Sequence, residues 1–273
     1  MNTPNPRMPG LYIPHGGGPC FFMDPPPQEP QAWDGMAAYL RGIAEALPAR
    51  PRAILVVSAH WECPVPTVNS GARPGMLFDY YGFPEQTYRL DYRAPGAPAL
   101  AAQVRDLLAG AGIESAEDAG RGYDHGVFVP FLLMFPGADI PVLQLSLQAG
   151  FDPAAHLAIG RALAPLRDEG VLIVGSGMSY HNLRAFYPRD ERAIAASLAF
   201  DAALTAAVGD PDATLRAAAL TDWKRLPDAV ACHPREEHLL PLMVVAGAAG
   251  GDTGRRTFND RVFGKAVSGF QFG

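Results

Sequence analysis

The stretch Ile54 to Glu62, ILVVSAHWE, constrains this chain more than any other: aliphatic and β-branched side chains run on without a break until Ser58, His60 and Glu62 end them. Too short and too β-branched for a buried helix, such a run is an interior strand of a sheet covered on both faces. The fold class is therefore α/β. His60 is expected just past the strand's carboxyl end, the rim at which open α/β sheets bind ligands. Three more histidines stand in comparable places: His15 in IPHGGGP, His181 in GSGMSYHNL and His238 in HPREEHLLPL. We read the four as one site.

Taken in order, strands and helices alternate. Leu11 to Pro14 is a first strand, and the glycines Gly16 to Gly18 behind it let the backbone turn sharply and approach a ligand. They carry no GxGxxG or GKS/GKT pattern, which argues against nucleotide binding. Gly35 to Leu47 has helical spacing. Gly75 to Tyr88 is aromatic and aperiodic, either the wall of a substrate pocket or a satellite core under a long loop. Pro98 to Gly110 is a helix, and His125 precedes a short apolar one, Pro130 to Phe135. Ile140 to Leu147 and Val171 to Gly177 are strands. A helix from Asp152 to about Arg167 carries His156, read as a surface residue with no chemical role. Arg189 to Val208, Ala213 to Leu220 and Glu236 to Ala246 are helical, the last with His238 in its first turn, and Val267 to Phe272 is the last strand. Without a repeat, charge block or composition shift, residues 1–273 form one domain: a central, mostly parallel or mixed sheet with helices on both faces and a metal site at the strand carboxyl ends.

A net charge of −6 without a basic patch argues against a nucleic-acid partner. No segment approaches about 18 apolar residues and the first residues lack an apolar signal core, so neither a membrane span nor export is expected. Cys20, Cys63 and Cys232 form no CxxC clip, which suits a reduced, cytoplasmic setting. Cys20 and Cys232 read as small buried hydrophobes, with soft metal ligands as the alternative.

Neutral imidazole is the commonest metal ligand, so histidines gathered at one sheet edge point to a metal site. His15, His60 and His181 each follow a strand-like run. His238 would enter from a helix start that also offers His233, Glu236 and Glu237. His125 alone reads as a cap or a buried polar group.

The ordered set PHGGGP, VVSAHWE, YDHGVF, SGMSYHNL and REEHLLPL, covering the chain from Leu11 to the last strand, resembles the class III extradiol ring-cleaving dioxygenases, in particular the DOPA 4,5-dioxygenase-type branch related to the large subunit of protocatechuate 4,5-dioxygenase. The resemblance implies His15, His60 and His238 as metal ligands, His181 as the acid and base beside the metal, and His125 as a second histidine lining the substrate pocket. The protocatechuate branch has a glutamate as third ligand, which keeps Glu237 as the substitute for His238. The resemblance also implies Fe(II), with zinc as the alternative occupant, a catechol and O₂ as partners and a hydroxymuconic-semialdehyde-type product; a homodimer is left open. A zinc hydrolase using Glu237 or His181 as base, and a non-catalytic binding protein, remain open on the same fold. Having both His125 and His181 beside the ligands favours the oxygenase.

Overall fold

The computed structural model describes residues 6–187 and 190–273. Among these, the strands are β1 (Gly10–Pro14), β2 (Ala53–Cys63), β3 (Thr67–Asn69), β4 (Ala116–Asp118), β5 (Val142–Gln148), β6 (Val171–Gly177), β7 (Gly254–Val262) and β8 (Lys265–Phe272). They form one sheet in the order β4-β3-β5-β2-β6-β1-β8-β7. The four central strands β5, β2, β6 and β1 run parallel, so their carboxyl ends share one rim. The flanks are antiparallel additions: β8 and β7 beside β1, and β3 beside β5. Ile54 to Val57 of β2 and Val171 to Val174 of β6 are fully buried, as continuous apolar runs require when both faces are covered.

The helices are α1 (Asp34–Ala46), α2 (Pro98–Gly110), α3 (His125–Met134), α4 (Pro153–Leu163), α5 (Pro165–Asp168), α6 (Leu183–Phe186), α7 (Glu191–Val208), α8 (Ala213–Thr221), α9 (Ala229–Cys232) and α10 (Leu240–Ala249). None of them is long and apolar enough to cross a membrane. α10 is buried along its whole length and lies against β1 and β6. Glycines make that approach possible: a Cβ on Gly175 would stand 2.5 Å from the Pro241 carbonyl oxygen, and one on Gly177 2.1 Å from that of His238. α3 covers the opposite face, where the Ser176 hydroxyl donates to the Gly126 carbonyl. That bond has a cause within α3. Pro130 lacks the N–H that would donate to Gly126, and Ser176 satisfies the orphaned oxygen instead.

Several expected boundaries move, each for a physical reason. α3 starts at His125 and not at Pro130. The helix expected from Asp152 breaks at Ala164, because Pro165 has no N–H for the Arg161 carbonyl, which Ala164 takes up at 3.3 Å. His156 is buried and not at the surface: its Nδ1 donates to the Asp152 carbonyl at 2.8 Å, while its Nε2 accepts the Gln148 N–H at 3.2 Å, tying α4 to the end of β5. α10 begins at Leu240, since a helix from Glu236 would place Pro241 in its interior. His238 therefore lies in the turn before α10. His60 falls inside β2 and not beyond it, but the ladder to β6 ends at Ser58 and that to β5 is interrupted between Val57 and Glu62. The Arg189 start expected for α7 lies outside the described residues, and α7 is described from Glu191, with Asp190 accepting the N–H groups of Arg192 and Ala193.

Candidate metal centre

Five histidines meet at the carboxyl rim. His15 follows β1 directly, and its N–H donates to the Gly177 carbonyl at 3.1 Å, extending the β1–β6 ladder by one bond. Its Nδ1 lies 3.1 Å from the Ser176 hydroxyl, and its Nε2 3.1 Å from Nε2 of His60. His125, the first residue of α3, packs its ring 3.9 Å from that of His60. His181 leaves β6 through a small-residue turn pinned by its N–H to the Cys232 carbonyl, 3.0 Å. Its ring stacks on His238 at 3.3 Å, and His238 closes the cluster at 5.2 Å from His15 and 4.9 Å from His60.

Two carboxylates hold this arrangement, each spanning a pair of imidazoles. Glu237 Oε1 accepts from Nδ1 of His238 at 2.9 Å and lies 3.2 Å from Nδ1 of His181. Asp79 Oδ1 accepts from Nδ1 of His125 at 2.8 Å, and its Oδ2 stands 3.6 Å from Nδ1 of His60. Burial pushes both carboxyls up, but hydrogen bonds and the neighbouring imidazoles outweigh it and hold both below the usual carboxylate range. Burial, reinforced by the other histidines, pushes His15, His60 and His238 far below the usual imidazole value. Those three are neutral at pH 7, the form that binds metal.

The donor set fits a transition metal. His15 and His60 turn ring nitrogens toward one another while Nδ1 of His15 faces the Ser176 hydroxyl, an outer contact of the kind that orients a metal-bound imidazole. His15, His60 and His125 each bring a donor atom within 4.8 Å of the others, and so do His181, Glu237 and His238. Imidazole with carboxylate suits iron and zinc and disfavours magnesium or calcium.

Beside the histidines opens a cavity of about 340 Å³. Gly16 to Gly18, Tyr80, Phe83, Met178 and Phe186 line it, with Leu183 and Tyr187 exposed at the mouth. The aromatic stretch Gly75 to Tyr88 serves both roles expected of it. Tyr80 and Phe83 face the cavity, whereas Phe78 packs on Phe128 at 5.5 Å and on Tyr88 at 5.9 Å.

Other candidates lie elsewhere. Burial raises the Cys20 and Cys232 thiols to about 12, as befits small buried hydrophobes. His233 donates its Nε2 hydrogen to the Ser179 carbonyl at 2.9 Å. Glu236 pairs with Lys224. Sequence reasoning missed Asp79, although a lone acid among the aromatics of FDYYGF is an unusual signal. It also missed the buried Asp124, which accepts from Ser58 at 2.7 Å, from Arg121 at 3.0 Å and from Gln144, while Arg121 also donates to the His60 carbonyl at 3.1 Å.

Comparison with known proteins gives a consistent picture. The family described as the catalytic LigB subunit of aromatic ring-opening dioxygenase matches residues 9–270. A dioxygenase of Hapsidospora irregularis, tasH, is 37% identical, the alignment covering 97% of this chain and 85% of that one. The 4,5-DOPA dioxygenase extradiol of Beta vulgaris is 43% identical over 74% of each chain, and that of Escherichia coli K12 34% identical over 89% of this chain and 85% of its own. A crystal structure of an uncharacterized Escherichia coli K12 protein superposes with a TM-score of 0.74 at 30% identity, covering 98% of this chain and all of the other.

Proposed function

The chain belongs to the LigB family of aromatic ring-opening dioxygenases and is an extradiol ring-opening enzyme, and from that premise we propose that it opens a catechol with O₂ at an Fe(II) ion held by His15, His60 and His238. One observation carries the assignment: these three neutral imidazoles converge at the rim of the parallel strands, beside a cavity that also receives His125 and His181. Fe(II) when bound supplies open positions for the catechol oxygens and for O₂, and the redox chemistry that joins them.

The chain's own residues do the rest. Glu237 occupies Nδ1 of His181 and leaves Nε2 as the nitrogen that takes a proton from a catechol hydroxyl and returns one as the ring opens. His125, at the cavity wall, accepts a hydrogen bond from a ring hydroxyl of the substrate. Tyr80, Phe83 and Phe186 pack against the aromatic ring and exclude water. The product is of the hydroxymuconic-semialdehyde type. Glu237 acts as the partner of His181 and His238, and His238 as the third ligand. The three free cysteines suit a reducing, cytoplasmic setting.

Protein reconstituted anaerobically with Fe(II) is expected to consume O₂ and turn yellow with at least one member of a catechol panel that includes DOPA, caffeate and catecholic acids. Absence of uptake across the panel overturns the reading, and ester or amide hydrolysis by the zinc-loaded protein would replace it.

A further inference from the structure

We propose that Asp79 is a positioning residue for the ring-opening reaction, acting through His125 by fixing that ring's orientation and its proton on Nδ1. The inference rests on the function proposed for the site and adds to it a group on a different segment.

Backbone register delivers the carboxylate. Leu77 N–H donates to the Tyr123 carbonyl at 2.7 Å and Tyr123 N–H to that of Gly75 at 2.8 Å, so Asp79, two residues past Leu77, arrives opposite His125, two past Tyr123. There Oδ1 takes two hydrogen bonds from the same residue, the His125 backbone N–H at 3.0 Å and its Nδ1 at 2.8 Å. A helix start leaves its first N–H groups without partners, and a side-chain oxygen at the N-cap position ordinarily takes them up. Asp124 holds that position in α3, yet its side chain makes no capping bond, being engaged by Ser58, Arg121 and Gln144. Asp79 caps α3 in its place.

The chemical consequence lies in the tautomer. A carboxylate accepts and does not donate, so the imidazole proton sits on Nδ1 and Nε2 presents a lone pair. His125 borders the cavity, so this lone pair is what it can offer a substrate hydroxyl there. The 3.6 Å from Oδ2 to Nδ1 of His60 is too long for a hydrogen bond, which is why the assignment is to His125.

The test combines a spectrum with a mutant cycle. In zinc-loaded protein, imidazole ¹⁵N shifts are expected to show His125 protonated on Nδ1; protonation on Nε2 overturns the proposal without reference to activity, and this reading needs no variant to fold. Asp79→Asn is expected to keep its iron, to lower kcat about 10- to 100-fold with little change in KM, and to alter the pH profile of kcat. In a His125→Ala background the same substitution is expected to lower kcat no further. An undiminished fall in that background, iron loss in Asp79→Asn, or a lowered melting temperature with normal kcat and pH profile would each overturn it. If wild-type protein turns over no catechol while the ¹⁵N spectrum is as expected, the proposed function fails and not the placement of the proton.

Discussion

The Nε2 atoms of His15 and His60 stand 3.1 Å apart, although one residue follows β1, the other lies in β2, and 45 positions separate them. Burial keeps both rings neutral, the form in which imidazole binds a metal cation. His60→Ala and His15→Ala are each expected to lose iron while remaining folded, measured as metal per chain after desalting beside a circular dichroism spectrum. Full metal content in either variant would remove that histidine from the ligand set.

Burial works against acid in the same way. His233 is pushed down to about 4, chiefly by desolvation, against about 6.5 in the unfolded chain. Between those values the unfolded state binds the extra proton, so stability falls as pH drops through that window and does not depend on this group above it. The loss is on the order of 3 kcal/mol once pH passes below both values. His156, and in metal-free protein His15, His60 and His238, shift in the same direction and add to it. Urea midpoints of the metal-free protein are expected to decline from about pH 6.5 to 4, less steeply in His233→Gln; a flat profile would contradict the burial of these rings.

How far the sequence reaches depends on what each element needs. β2 and β6 are legible because a strand buried on both faces must be apolar throughout. β7, GRRTFNDRV, escapes notice because it is an edge strand defined by pairing with β8. The turn joining them, Phe263 and Gly264 at φ 50° and 80°, has the positive angles of a tight hairpin without the usual Asn-Gly. His15, His60 and His181 stand out as strand-end residues, whereas His125 acquires a role only through the family resemblance. Asp79 is hidden because an aperiodic loop does not disclose which way a side chain turns. The late start of α10 was readable, since Pro241 was in plain view.

The glycine that ends β6 sets where His238 can sit. The His238 carbonyl accepts from Tyr12 at 2.7 Å and from the Met178 N–H at 3.2 Å, in space that a Cβ on Gly177 would invade. Gly177→Ala is expected to cost about 1–3 kcal/mol by overpacking and to weaken iron binding by moving the His238 turn. Gly42→Ala, in α1 with no atom within 4 Å of the new methyl, is the contrasting case. It should stabilise by about 0.5–1 kcal/mol with iron binding unchanged. Chemical denaturation and metal titration of both variants decide it, and equal iron affinity in the two would show that the close approach at Gly177 does not govern the site.

His181 and His238 share one carboxylate oxygen and stack at 3.3 Å, yet their proposed jobs differ, and substitution should separate them. Losing a ligand empties or loosens the site. Losing an acid and base leaves metal and catechol bound and slows only the proton transfers, by a factor of about 100 to 10,000. His181→Ala is therefore expected to retain iron and bind a catechol, read from the perturbed absorbance of the anaerobic complex, with kcat collapsed and KM little altered. His238→Ala should lose iron. Glu237→Gln keeps an oxygen for both Nδ1 hydrogens but removes the charge, so it should lower both iron affinity and kcat, each less than the corresponding histidine substitution. Should His181→Ala shed its metal as readily as His238→Ala, then His181 is itself a ligand, and the proton must be carried by His125.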